Sequence, residues 1–194
     1  MTKATAAQRQ AALGRFASLT GPIAMAAAAA PIKTEVNGVR WELVPDYGRG
    51  DSALAIYPVT AASMLPPAAA PRLEYPVYLP REGNWQVTLV LGPVMDFVPE
   101  RGQRVALAFD DEPPQVRDLF ANREAETFLG RGWWTQFTRD NARYLTSAHG
   151  LTAAGPHTLK ITMVDPGIVI QKIILHDRPL PESYFGPPER SPVE

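Results

Sequence analysis

The sequence contains no cysteine among its 194 residues. A disulfide framework, a thiolate metal site and a cysteine nucleophile are therefore excluded together, while the compartment stays open because many exported proteins lack disulfides. The net charge is only −1, which gives no electrostatic reason to expect nucleic acid or an anionic membrane as a partner. No apolar run approaches the ~20 residues that span a bilayer.

Proline, in contrast, is abundant. The chain has 20 prolines, about twice the average usage, which indicates many short elements separated by turns. Several segments alternate apolar and polar residues at period two, the pattern of half-buried strands. At least seven strands without long intervening helices predict an all-β fold, an antiparallel β-sandwich. The segments read VRWELVP, SALAIYPV, RLEYPVYLP (in which Pro76 favours an edge or a bulge), NWQVTLVLG, RVALAFDD and the two halves of GPHTLKITMVDPGIVIQKIIL.

The last of these segments predicts two strands joined by a tight turn, that is, a hairpin. Leu159, Ile161 and Met163 share one apolar face. The sequence Asp-Pro-Gly at positions 165–167 supplies a turn, because proline fixes one φ and glycine tolerates a positive one. Residues 168–175 are almost continuously aliphatic, as in a strand covered on both faces.

Two helical segments are predicted outside the strands. A short helix from about Ala6 to Leu19 is favoured over a signal peptide, since the apolar stretch after Arg15 is interrupted by Gly21-Pro22 and is nearly all alanine. The segment GWWTQFTRDNARYL predicts an excursion helix of about three turns, because four residues recur at helical spacing: Trp134, Phe137, Asn141 and Tyr144. The stretch TAASMLPPAAAP is predicted to be a crossover between strands. The predicted segments are 1–19 (helical or leader), 20–188 (sandwich) and 189–194 (tail).

Six motifs follow one another in a fixed order and spacing over roughly residues 20–188: VRWELVPDYGRGDSALAIYPVTA, PRLEYPVYL, FDDEPPQV, DNARYLTSAHGL, GPHTLKITMVDPGIVIQKIIL and YFGPPE. Through these motifs the chain resembles the C-terminal β-sandwich domain of glycoside hydrolase family 115, the α-1,2-glucuronidases that trim glucuronic acid from xylan. In broader outline it is similar to jelly-roll sugar-binding modules of the galactose-binding-like type.

The resemblance implies an accessory role. The catalytic apparatus of the family is expected in other domains of a much longer enzyme, so no catalytic residue and no cofactor is predicted for this chain. The family suggests a periplasmic or secreted location. Related modules often begin with a strand whose acids ligate a structural calcium ion, but here Ala26 and Ala28 stand in the corresponding places. Methyl groups offer no oxygen ligands, so no metal site is predicted.

Two tryptophans and a glycine-rich turn supply the candidate carbohydrate-binding residues. One of Trp133 and Trp134 can form a flat platform for a pyranose ring, and the alternative is that both are buried. Arg49, with Asp46 and Tyr47 in the same turn, can pair with a uronate carboxylate through its planar fork. The favoured alternative for Arg49 is a salt bridge that stabilises the turn.

Other polar residues are predicted to have structural roles. The acids at 110–112 follow one another at a strand end, whereas glycosidic acid–base catalysis needs carboxyl groups facing across ~5 to ~9.5 Å. His157 is predicted to be a hydrogen-bonded residue at the core edge, and the three histidines lack metal-ligand spacing. Neither Ser147 nor Ser183 lies in a Gly-x-Ser-x-Gly motif. The RGD tripeptide at 49–51 is interpreted as part of a turn.

The functional prediction is a non-catalytic accessory domain that completes a multidomain hydrolase or packs against a partner. A carbohydrate-binding module for glucuronoxylan is the second hypothesis. An α-glucuronidase acting on its own is the third, and the short length of the chain argues against it. The sequence leaves the oligomeric state open.

Overall fold

The computed structural model describes residues 5–98, 100–121 and 138–194. In those ranges twelve strands form two six-stranded sheets, and two short helical elements lie near the N-terminus. The helical elements are α1 (Ala6–Ala12) and one 3-10 turn (Ala27–Ala29). The strands are β1 (Phe16–Ala17), β2 (Ile23–Ala26), β3 (Ile32–Thr34), β4 (Arg40–Pro45), β5 (Ser52–Tyr57), β6 (Arg72–Leu79), β7 (Gly83–Leu91), β8 (Arg104–Phe109), β9 (Gln115–Asp118), β10 (Arg143–Leu151), β11 (Gly155–Met163) and β12 (Val169–His176).

The predicted β-sandwich is confirmed. The first sheet has the order β1-β6-β11-β8-β9, and β3 also pairs with β6. The second sheet has the order β10-β7-β12-β5-β4, and β2 also pairs with β12. Every described pair is antiparallel except β1 with β6. In the same ranges no helix has the length and apolar character that a bilayer crossing requires.

The core lies between the sheets and follows the period-two pattern of the sequence. In β11, Leu159, Ile161 and Met163 are at most 1% exposed, and the intervening residues are half-buried. One apolar cluster joins side chains of both sheets, including Trp85 of β7 and Tyr75 of β6. Each large side chain buried in this way contributes about 1.5–3 kcal/mol relative to an exposed one.

The predicted hairpin at residues 155–175 is wrong. β11 belongs to the first sheet and β12 to the second, so the turn at 165–167 carries the chain from one sheet to the other. Asp165 is buried in this turn and binds Arg104. The prediction that β12 is covered on both faces is confirmed, because Ile173 lies in the main core and Ile174 packs in a second cluster on the outer face.

The N-terminal helix is shorter than predicted. It ends at Ala12, and Phe16 begins a strand instead of continuing the helix to Leu19. Gly14, with a φ of +69°, redirects the chain, and Phe16 becomes fully buried with its ring centroid 6.3 Å from that of Tyr75. Burial of this ring outweighs continuation of an alanine-rich helix. The proposed segment boundaries at 19 and 188 stay a prediction.

The predicted excursion helix falls mostly outside the described residues. Residues 138–140 are helical, but the predicted extension to Leu145 is wrong because β10 begins at Arg143. Asn141 adopts a left-handed conformation with a φ of +48°, a common way to end a helix. Tyr144 then pairs with Val90 of β7.

β6 is an inner strand, so the edge position suggested by Pro76 is wrong. On one side β6 pairs with β11 along its whole length, and on the other side it pairs with β3 over residues 72–74 and with β1 over residues 77–78. Pro76 lies at the break between those two partners, where the missing N–H of proline does not interrupt a ladder. The predicted crossover at residues 60–71 is confirmed, since it connects β5 in one sheet with β6 in the other.

Candidate functional site

A groove of about 510 Å³ lies on the outer face of the second sheet. Its floor is formed by Thr88 and Val90 of β7 and Ile174 of β12. Side chains of a strand alternate between faces, and the neighbouring Val87 and Leu89 point into the core. The chain after β12, residues 180–187, forms one wall of the groove.

This wall is part of a segment that we call the C-terminal strap, residues 180–190. The Lys172 ammonium group fixes it to the sheet, donating to the backbone carbonyl of Phe185 at 3.0 Å and lying 3.2 Å from the Glu189 carboxylate. Further along, the backbone N–H of Arg190 donates to the carbonyl of Ala24 at 2.9 Å. The strap therefore lies along the sheet and leaves an open space beside Tyr144.

Arg49 projects from the turn between β4 and β5 into this groove. Its Cζ atom lies 5.6 Å from the ring centroid of Tyr144 and 4.9 Å from that of Tyr184. Its Nη2 donates to the Tyr144 hydroxyl at 2.7 Å, and its Nη1 donates to the backbone carbonyl of Tyr184. Both distances lie within the range of a cation–π interaction, and the two hydrogen bonds use two of the five N–H donors of the guanidinium.

The rim of the groove carries an arginine–aspartate ion pair and exposed aromatic rings. Arg139 and Asp140 form a two-pronged contact, with Nε–Oδ1 and Nη2–Oδ2 distances of 2.6 and 2.8 Å. The hydrogen bonds from Arg139 lower the pKa of Asp140, although partial burial opposes them. Tyr184 and Phe185 are 46% and 66% exposed. The groove thus offers apolar ring faces next to a guanidinium.

The predicted site residues are only partly brought together. Arg49 lines the groove, but the turn-stabilising salt bridge is not formed, since no ion pair joins Arg49 to Asp46 in the described residues; a backbone hydrogen bond from Asp46 to the carbonyl of Asp51 closes the turn instead. Tyr47 does not line the groove: its ring lies against Gly92, and burial raises its pKa. Trp133 and Trp134 lie outside the described residues.

A serine, a histidine and a carboxylate line up elsewhere in the molecule. The Nε2 atom of His149 lies 2.8 Å from Ser147 Oγ, and its Nδ1 atom lies 3.1 Å from a carboxylate oxygen of Glu112. Ser147 and His149 are each only 1% exposed, so a substrate has no access to the hydroxyl, and the trio satisfies polar groups inside the sandwich. The neighbouring Asp110 binds His157 at 2.7 Å, which confirms the hydrogen-bonded role predicted for that histidine.

Metal ligands do not gather in the described part of the chain. No three His, Asp or Glu side chains lie close enough there to hold an ion. Ala26 ends β2 and Ala28 lies in the 3-10 turn, and neither side chain carries an oxygen.

Sequence reasoning missed three residues that line the groove, Tyr144, Tyr184 and Phe185. It also missed Gln171, whose side chain accepts a hydrogen bond from the backbone N–H of Arg49 at 2.8 Å. The sequence predicts a helix at Tyr144 and a tail running along the surface from Tyr184 onward. The available signals were two adjacent aromatic residues in a proline-rich tail and one glutamine, Gln171, in the middle of an aliphatic strand.

The sequence profile of the glycosyl hydrolase family 115 C-terminal domain matches residues 15–189. The chain belongs to this family. A comparison with curated protein sequences found no match.

Solved structures support the fold of this family 115 domain. The 4-O-methyl-α-glucuronidase BtGH115A, described as specific for decorated arabinogalactans, is 17% identical over 84% of this chain, with a TM-score of 0.57. The chain covers 18% of that protein. The C-terminal family 6 carbohydrate-binding module of LamC, a laminarinase from Zobellia galactanivorans, is 13% identical, with a TM-score of 0.52 over 80% of this chain and 99% of that one. At such identities the likeness concerns the fold alone.

Proposed function

We propose that this chain is a non-catalytic accessory domain of a glycoside hydrolase, and that its groove binds an acidic polysaccharide. One observation carries the proposal: Arg49 is held between Tyr144 and Tyr184 in an open groove. An arginine that only stabilised its own turn would contact that turn, whereas this one reaches residues 95 and 135 positions away in the sequence.

The groove has the two kinds of group that a uronic acid residue requires. The C–H faces of a pyranose pack on aromatic rings, and the exposed rings of Tyr184 and Phe185 offer such surfaces. A carboxylate prefers the planar edge of a guanidinium, where two N–H groups can donate in parallel. A guanidinium has five N–H donors, and Arg49 uses two of them in its contacts with the two tyrosines.

Glucuronoxylan is the polysaccharide that we propose first. The family 115 enzymes that this chain resembles remove glucuronic acid from xylan. The groove suits such a polysaccharide, in which a branch carries a carboxylate on a neutral backbone. Trp133 and Trp134 stay candidate platforms for that backbone, and Arg139 is a second cation at the rim. An α-glucuronidase activity would belong to a longer protein, since this chain covers only 18% of BtGH115A.

A second candidate function is docking against other domains of the hydrolase. Leu65, Met95 and Phe97 are 49%, 62% and 57% exposed. They lie on loops that meet at one end of the sandwich: the backbone N–H of Met64 donates to the carbonyl of Val164 at 2.8 Å, and the ring of Phe97 lies against Gly167. Exposed apolar surface of this kind is typical of interfaces between domains.

Affinity electrophoresis tests polysaccharide binding. The gel contains either glucuronoxylan or the same polymer after its carboxyl groups have been reduced to alcohols. We expect retardation of the wild-type chain by glucuronoxylan, little retardation by the reduced polymer, and loss of the difference in Arg49→Gln. Arg40→Gln is the matched control, because Arg40 is an exposed arginine of β4 that pairs with Glu42.

Two results would overturn the proposal. One is equal mobility of the wild-type chain in glucuronoxylan and in a gel without polysaccharide. The other is retardation that Arg49→Gln leaves unchanged while its circular dichroism matches the wild type. Release of glucuronic acid from glucuronosylated xylo-oligosaccharides by the purified chain would favour the enzyme hypothesis instead.

A further inference from the structure

Gln171 is a buried polar residue at an irregular point of β12. It is 5% exposed and interrupts the aliphatic sequence IVIQKIIL. The pairing register between β12 and β7 shifts between Ile170 and Lys172, which places Gln171 at a β-bulge. Bulges redirect a side chain and often occur beside functional sites. A buried side-chain amide without hydrogen-bond partners would destabilise the fold. The hydrogen bonds of Gln171 therefore indicate the role of the bulge.

The side-chain amide of Gln171 connects the two loops that form one side of the groove. Its Oε1 accepts a hydrogen bond from the backbone N–H of Arg49 at 2.8 Å. Its Nε2 lies 3.5 Å from the backbone carbonyl of Asn141, at the long limit for a hydrogen bond. The first contact holds the turn from which Arg49 projects, and the second holds the segment between Asp140 and Tyr144.

The turn is shaped to receive this amide. Gly48 has a φ of +78°, a conformation that residues with a Cβ atom rarely adopt. A Cβ atom at position 48 would also collide with the amide of Gln171. The close approach of the turn to β12 therefore depends on a glycine at position 48 and an acceptor at position 171.

We infer that Gln171 is the positioning residue for Arg49. The effect of Gln171 on ligand binding rests on the proposed function of the groove. By accepting the backbone N–H of Arg49, Gln171 fixes where that side chain leaves the turn and keeps the guanidinium between Tyr144 and Tyr184. A positioned guanidinium loses less conformational entropy when it binds a carboxylate.

Substitution of Gln171 tests the inference in two ways. Gln171→Met keeps the length of the side chain and removes the acceptor, and we expect affinity for a glucuronosylated xylo-oligosaccharide to fall about tenfold, as for the loss of one hydrogen bond to a positioned group. Gln171→Glu keeps the acceptor oxygen for the Arg49 N–H but loses the donor to the Asn141 carbonyl, so we expect a smaller fall in affinity, of about threefold. Gln86→Met, at an exposed position of β7, is the control for the substitution itself.

Amide hydrogen exchange gives a second measurement that needs no ligand. We expect the Arg49 amide to exchange slowly in the wild type and in Gln171→Glu, and at least tenfold faster in Gln171→Met, while the Asp46 amide keeps its rate because it donates to Asp51. If the wild-type chain binds no acidic oligosaccharide, the proposed function fails, and exchange at Arg49 still decides whether Gln171 holds the turn.

Three outcomes would overturn the inference. The first is an unchanged exchange rate at Arg49 in Gln171→Met. The second is a failure of Gln171→Glu to restore that rate. The third is an equal fall in affinity for acidic and for neutral xylo-oligosaccharides, which would indicate a general loss of structure and not a misplaced guanidinium.

Discussion

Asp165→Asn is expected to destabilise the fold by about 2–3 kcal/mol. The side chain of Asp165 is fully buried in the turn between β11 and β12. One carboxylate oxygen accepts from Arg104 Nε at 2.8 Å and from the Arg104 backbone N–H at 2.9 Å, and the other contacts Arg104 Nη2 at 3.2 Å. Ser63 donates to it as well, and Arg101 lies 3.5 Å away. These contacts tie together three loops at one end of the sandwich.

The magnitude follows from burial and partial solvent screening. Breaking a fully buried ion pair costs about 3–5 kcal/mol. The side chains of Arg101 and Arg104 are each 23% exposed, so water screens part of the charge that asparagine would leave unpaired. The expected cost therefore lies at or below the lower limit of that range, at about 2–3 kcal/mol. Asparagine has nearly the same shape, but its NH₂ group would face donors where the carboxylate now accepts.

The effect should depend on pH. Burial raises the pKa of Asp165, but the hydrogen bonds from Arg104 and Ser63 outweigh burial and hold the pKa below its ordinary value. A carboxyl group with a lowered folded-state pKa adds its full stabilisation above the unfolded-state value of about 3.9 and loses it as the pH falls through the folded-state value. The difference between wild type and Asp165→Asn should therefore be largest at neutral pH and shrink below about pH 4.

Urea unfolding at a series of pH values measures this difference. Asp177→Asn is the control, because Asp177 pairs with Arg81 at the surface, where both side chains are partly exposed, and such pairs contribute about 0–1 kcal/mol. A neutral-pH difference for Asp165→Asn no larger than that of the control, or one that stays constant into acid, would refute the reasoning.

Three further predictions, each checked by urea unfolding, test other parts of the fold. Phe16→Ala should cost about 3–5 kcal/mol because the ring is fully buried, whereas Leu13→Ala, at a residue 40% exposed, should cost less than about 0.5 kcal/mol; equal costs would place the N-terminal strand outside the core. Tyr75→Phe should cost about 1–2 kcal/mol, because it removes a buried hydroxyl that donates at 2.7 Å to a backbone carbonyl of the 3-10 turn. The same burial raises the pKa of Tyr75. Gly92→Ala should cost about 1–3 kcal/mol, because the new methyl group would meet the ring of Tyr47. Adding Tyr47→Ala should then recover part of that loss, and simple additivity of the two changes would contradict the contact.

The candidate site was only partly predictable from the sequence. The sequence predicts Arg49 as a candidate because its planar fork, in a glycine-rich turn, can pair with a uronate carboxylate. The structure places its side chain in the groove. Its partners Tyr144, Gln171 and Tyr184 are 95, 122 and 135 positions away. Such contacts leave no local pattern in a single sequence. The composition of the C-terminal strap, which contributes Tyr184, predicts only a tail along the surface.

Local periodicity by itself determined seven of the strands, namely β4 to β8, β11 and β12, whereas β1 and β10 lie in segments predicted to be helical. The alternation in β6 and β11 is set by the two-residue period of an extended chain, and the apolar face can only be buried inward. Only the tertiary structure decided which sheet each strand joins. The turn at 165–167 could close a hairpin or carry the chain from one sheet to the other. In the structure it crosses between the sheets, and Asp165 in this turn forms a buried ion pair with Arg104, 61 positions away. Pairing between distant segments depends on the free energy of the whole core, which no short stretch of sequence contains.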